Sequence, residues 1–99
     1  FDVLNTRLSQ AKYLCGPNYT IADVSVWPWY GAMFFENFYS AREFLDIDSY
    51  AHLKRWACEL GERDAVRRGR KVNRTWGSPR EQVPERHSDA DFEALKQDC

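Results

Sequence analysis

No stretch of this 99-residue chain holds the about 18 consecutive apolar residues that a membrane-spanning helix needs, so none is expected. Cysteine is scarce. Cys15, Cys58 and Cys99 are odd in number and too widely spaced for a disulfide framework or a zinc knuckle. Free thiols in a reducing cytoplasm are the simplest reading. Histidine is scarcer still: His52 and His87 have no partner at metal-ligand spacing, so no metal site is expected. Internal repeats and low-complexity segments are lacking, and no alternating pattern supports a strand. A basic, apolar, then small-residue leader is also missing, and the first residue is Phe1. The chain reads as one domain cut from something longer.

What is present is an aromatic-rich, mixed-charge composition: 43% hydrophobic, 15% aromatic and 29% charged, with a net charge of −1. That is enough for one core and excludes a disordered polyelectrolyte. The charge is uneven: residues 1–53 carry net −3, residues 54–80 net +6 and residues 81–99 net −4. The basic block from Arg63 to Arg80 invites a nucleic-acid reading, but a charge block alone is a weak signal, a solvated helix face answered by the acidic tail accounts for it better, and nucleic acid is not the expected partner.

Apolar periodicity organises the chain as helices. Phe1, Leu4, Leu8, Ala11 and Leu14 form one stripe over residues 1–14, stopped by Gly16-Pro17. The stripe is already running at Phe1, again as expected of a cut inside a helix. Thr20 and Asp23 have the spacing of a capping box, and Tyr19 and Val24 that of a hydrophobic staple around it. A Thr–Asp pair can also orient a proton, but the cap explains both residues at their spacing. The helix behind it, residues 20–36, is apolar on every face and is predicted to be the buried central helix, kinked at Pro28. A connector over 37–48 includes a short turn at Ala41–Leu45. Asp48 or Ser49 then caps a helix with Tyr50, Leu53, Trp56, Ala57 and Leu60 inward. Asp64 caps a further short helix, with Ala65 and Val66 turned inward. The helical domain is placed at 1–71 and an extended tail at 72–99, anchored by Trp76, with a short helix at 89–96 behind Ser88 and Asp91.

The motifs Tyr19-Thr20-Ile21-Ala22-Asp23, Trp27-Pro28-Trp29, Tyr50-x-x-Leu53-x-Arg55-Trp56 and Arg63-x-Ala65-Val66 together resemble the C-terminal helical domain of cytosolic glutathione transferases. The run from Arg67 to Thr75 is similar to that of the Nu-class branch, whose members are glutathione-dependent disulfide-bond oxidoreductases. The segment from Glu85-Arg86-His87 to Phe92 resembles that branch's longer tails. One departure is Asp64, where many members have Pro; both residue types start helices well.

The resemblance implies an all-α bundle and a glutathione co-substrate. The thiol site would lie in an N-terminal thioredoxin-like domain that these residues do not include. Homodimerisation and a cytoplasmic location follow by the same analogy, and no catalytic residue is expected within the 99. Trp29, Tyr30, Arg74 and Trp76 are the candidate substrate-binding residues. The two on the central helix would line an electrophile or disulfide pocket, although aromatics on such a helix commonly serve the core. Arg74 and Trp76 would cover bound glutathione, with Arg74 facing a carboxylate. The other function class consistent with the motifs is a non-catalytic, transferase-fold protein-interaction domain.

Overall fold

The structure is a computed structural model that describes residues 1–35, 41–75 and 77–96. It is all-helical: α1 (Asp2–Gln10), α2 (Ile21–Tyr30), α3 (Ala41–Phe44), α4 (Ala51–Gly61), α5 (Asp64–Gly69) and α6 (Asp89–Lys96), with 3-10 turns at Ala32–Phe34, Ile47–Ser49 and Pro79–Glu81. The chain divides into two compact units, Phe1–Glu62 and Arg63–Cys99.

In the first unit, α4 is the element against which α1, α2 and the Ala32–Phe34 turn pack. Its inward stripe is the expected one: Leu53, Trp56, Ala57 and Leu60 are buried. Among the described residues, Leu8 of α1, Trp27 of α2, and Ala32, Phe34 and Ile47 are the remaining buried apolar residues of this unit.

Helix α1 is shorter than its stripe. It ends at Gln10, and Ala11 is already extended at φ −145°, ψ 153°. A tight turn follows, in which Tyr13 and Gly16 exchange backbone hydrogen bonds of 2.9 and 3.2 Å. The periodic pattern continues to Leu14, but groups distant in sequence satisfy the chain better outside the helix. The Arg55 guanidinium of α4 donates to the carbonyls of Leu8 (3.1 Å), Lys12 (3.2 Å) and Ala11 (3.5 Å). Those are carbonyls that a helix end leaves without intrahelical partners. Arg7 Nε donates to the Leu14 carbonyl at 2.8 Å.

Helix α2 starts at Ile21 behind Thr20 and contains Pro28. Beyond Tyr30 the chain tightens into the 3-10 turn rather than continuing as α-helix through Phe35; Glu36 lies outside the described residues. A helix apolar on every face belongs in the middle of a bundle, and in these 99 residues it is expected to leave core surface uncovered. One face, with Asp23 and Trp27, is buried, whereas Ile21, Val24, Trp29 and Tyr30 are exposed. The Trp27 indole folds back over Gly31, the C-cap of its own helix, into the space a side chain would occupy: a Cβ there would lie 2.4 Å from the indole. The indole Nε1 donates to the Ala57 carbonyl of α4 at 3.0 Å.

The start of α4 also departs from expectation. Asp48 and Ser49 lie in the preceding 3-10 turn, and Tyr50 occupies the N-cap position without a side-chain cap bond. Asn5 of α1 does the capping from 47 residues away, its Oδ1 accepting from the backbone N–H groups of His52 and Leu53, each at 3.0 Å.

In the second unit, α5 starts one residue earlier than its expected cap allows: Arg63 is the N-cap, without a side-chain bond, Asp64 is the first helical residue, and Ala65 is exposed, not inward. The segment expected as an extended tail instead closes on itself. Val83 N–H donates to the Lys71 carbonyl and Asn73 N–H to the Val83 carbonyl, both at 2.8 Å, so that Val72 and Val83 pair in parallel. Within that loop Gln82 Nε2 donates to the Gly77 carbonyl at 3.0 Å. Helix α6 opens behind Ser88, whose backbone N–H donates to Asp91 Oδ2 at 2.8 Å. Phe92 is buried beneath the Arg68 guanidinium, 4.6 Å from its ring centroid, and meets the His87 ring edge-on.

Candidate functional site

Trp29 and Tyr30 both come from the last turn of α2. Consecutive helical residues are about 100° apart, so the two rings aim in different directions and do not form one wall. Trp29 is 77% exposed. Tyr30, at 42%, has one side packed: Phe1 meets it at 5.7 Å between centroids with the rings perpendicular. Phe1 in turn stacks on Tyr50, 5.6 Å away and 27° from parallel. These offset and edge-on arrangements are the ones the aromatic quadrupole favours. Partial desolvation chiefly, then the neighbouring Asp2 carboxylate and the negative charge of Asp46, hold the Tyr50 pKa above the usual 10.0. The phenol therefore stays a neutral donor through the physiological range.

Sequence reasoning singled out Tyr30 but missed Phe1 and Tyr50 as its support. Phe1 and Tyr50 were visible only as members of two separate apolar stripes, and nothing local sets those stripes side by side.

The Thr20–Asp23 pair forms its capping box. Asp23 Oδ2 accepts from the Thr20 backbone N–H at 3.0 Å and from its hydroxyl at 3.5 Å. Asp23 does more than cap, because it is 0% exposed. Its Oδ1 accepts from the Leu14 N–H at 3.1 Å and from the Trp56 indole Nε1 at 2.8 Å. One carboxylate thus ties the tight turn, the start of α2 and the middle of α4. A signal for this existed: a buried Trp requires an acceptor for its N–H, and an Asp carboxylate has capacity beyond one cap. Tyr19 packs edge-on against Tyr13, at 5.9 Å, and Val24 is 51% exposed.

Arg74 lies in the second unit, within the closed loop, its Nη1 3.7 Å from Glu81. Trp76 lies outside the described residues. Cys15 and Cys58 are exposed free thiols, and Cys99 is outside the described residues. Among the described residues no group of His, Cys, Asp or Glu could hold a metal ion, and no helix is long and apolar enough to cross a membrane. An open groove of about 470 Å³ runs along the end of α1, lined by Leu8–Lys12, His52, Arg55 and Glu59. Its guanidinium is engaged with three carbonyls and with Glu59 at 3.3 Å, so it has the character of a structural clamp.

Comparison with known proteins adds to this geometry. Residues 1–57 match the family described as glutathione S-transferase, C-terminal domain. Over 97 residues the chain is 53% identical to the disulfide-bond oxidoreductase YghU of Escherichia coli K12, covering 98% of this chain and 34% of that protein. It is 38% identical over 73 residues to an uncharacterized GST-like protein of Streptococcus mutans, covering 73% of this chain and 28% of that protein. It is 35% identical over 66 residues to the disulfide-bond oxidoreductase YfcG of E. coli K12, covering 67% of this chain and 27% of that protein. The chain spans about a third of the length of these relatives.

Proposed function

Because the chain belongs to the glutathione S-transferase C-terminal domain family, we propose that it forms the helical part of a longer glutathione-dependent disulfide-bond oxidoreductase. The observation that carries this reading is 53% identity, over 98% of the chain, to a protein bearing that activity in its name. In the reaction a glutathione thiolate attacks one sulfur of a disulfide. The S–S bond breaks, one thiolate leaves and a mixed disulfide forms. A second glutathione thiolate then attacks the glutathione sulfur of the mixed disulfide, releasing the other thiolate and leaving glutathione disulfide. The two electrons come from the two glutathiones, so no cysteine of this chain is required. That suits a chain whose cysteines are 43 and 41 positions apart and form no redox motif.

The thiol site belongs to an N-terminal thioredoxin-like domain, and the helical part walls the substrate side. Tyr30 and Trp29 present aromatic surface to the disulfide substituents. Arg74 offers a planar guanidinium to a glutathione carboxylate, and Trp76 covers the bound tripeptide. The protein acts as a homodimer in the cytoplasm, and the 99 residues alone are inactive.

The deciding experiment compares the full-length protein with residues 1–99 in glutathione-dependent reduction of a small disulfide. Activity in the full-length protein alone is expected. Inactivity of both, with no glutathione binding, would replace this reading with a non-catalytic interaction domain, a role that the exposed Ile21, Val24 and Trp29 would also suit.

A further inference from the structure

Tyr30 sits at the end of α2 with one side of its ring packed and the other open. A tyrosine at an exposed helix end samples more than one staggered well unless something fills the alternatives. Here Phe1 fills that space, edge to face at 89°. Phe1 is itself seated on the Tyr50 ring, 5.6 Å between centroids and 27° from parallel. The order of support is therefore Tyr50, Phe1, Tyr30. It joins the start of α1, the N-cap of α4 and the end of α2 within one compact unit.

Resting on the reading that Tyr30 faces substrate, we propose that Phe1 and Tyr50 are positioning residues that fix the Tyr30 ring and thereby give the enzyme a preference for aryl over short alkyl disulfides. A ring held in one orientation presents a constant face against which a flat substituent can stack, whereas a small alkyl group gains little from that order. A single aromatic contact shifts a rotamer population by about two- to tenfold. The KM for an aryl disulfide should therefore rise by about that factor when Phe1 is lost.

The test uses the full-length protein carrying 3-fluorotyrosine at position 30, together with steady-state kinetics on a symmetrical aryl disulfide and a symmetrical short-chain alkyl disulfide. Phe1→Leu should move and broaden the fluorine resonance, raise the aryl KM and leave kcat and the alkyl KM unchanged; Phe1→Tyr should restore all of these. Tyr50→Leu, which removes the ring on which Phe1 stacks, should move the resonance in the same direction by less. A resonance indifferent to both Phe1→Leu and Tyr50→Leu overturns the proposal. So does a moved resonance with an unchanged aryl KM. Tyr30→Ala separates the two levels. If it raises the aryl KM while Phe1→Leu does not, positioning is wrong and the substrate reading stands. If it leaves both KM values alone, the substrate reading fails and the positioning role with it.

Discussion

Replacing Asp23 with alanine should be far more damaging than the loss of an ordinary helix cap. A surface capping residue contributes about 1 kcal/mol. Asp23 is 0% exposed and serves three N–H donors from different parts of the chain: Leu14, Thr20 and the Trp56 indole. The Trp56 side chain is itself fully buried, so its N–H cannot turn to water. Leaving a buried donor unsatisfied costs about 1–3 kcal/mol. Leu14 and Thr20 are partly accessible and fall at the low end, while Trp56 falls at the high end. Together the three give about 4–6 kcal/mol, which is comparable to the whole stability of a small domain at about 5–15 kcal/mol. Asp23→Asn is nearly isosteric and keeps one oxygen as acceptor, but places an amide donor against a remaining N–H. Its cost should be about 2–3 kcal/mol.

The assay is urea denaturation of the 99-residue chain followed by far-ultraviolet circular dichroism. Trp56→Phe and the double variant complete a cycle that isolates the indole bond. The expected coupling between Asp23 and Trp56 is about 1–2 kcal/mol, since the donor disappears with the indole. An Asp23→Ala cost near 1 kcal/mol, with no coupling to Trp56, would refute the view of this carboxylate as a buried junction and return it to a simple cap.

Two further outcomes follow from the way α1 holds α4. Asn5→Ala removes the acceptor for the His52 and Leu53 N–H groups and should lower the urea midpoint by the equivalent of about 1–2 kcal/mol, while Asn5→Asp, which keeps the acceptor at a helix N-terminus, should stay within about 0.5 kcal/mol of the parent. The Tyr50 phenol has its pKa raised in the folded chain above the usual 10.0, so folding favours its protonated form. That contribution is complete below pH 10.0 and is lost as pH rises through the folded pKa. Stability followed by denaturant titration at increasing alkaline pH should therefore fall more steeply in the parent than in Tyr50→Phe, and parallel curves would contradict a raised Tyr50 pKa.

The capping box, the inward stripe of α4 and the span of α6 were legible because each is a local code. Thr20 and Asp23 are three residues apart, Leu53, Trp56, Ala57 and Leu60 repeat with the helical period, and Ser88 stands three before Asp91. The errors share a different cause. The stripe that ran to Leu14 was correct as a pattern, yet the helix stops at Gln10 because Arg55, over 40 residues on, takes its terminal carbonyls. Ser49 had the chemistry of a cap, yet the start of α4 is capped by Asn5. The 72–83 segment had no period because its order comes from Val83 pairing back to Lys71 and Asn73. Helix termini and loops leave backbone groups that any suitable side chain can satisfy, and a sequence does not say which distant one arrives. The same limit applies at the candidate site: Tyr30 carries a local signal as an aromatic on an apolar helix, whereas Phe1 and Tyr50 become its support only once α1 has been set beside α4. Testing Phe1 and Tyr50 separately from Tyr30 therefore probes the part of the site that only the fold creates.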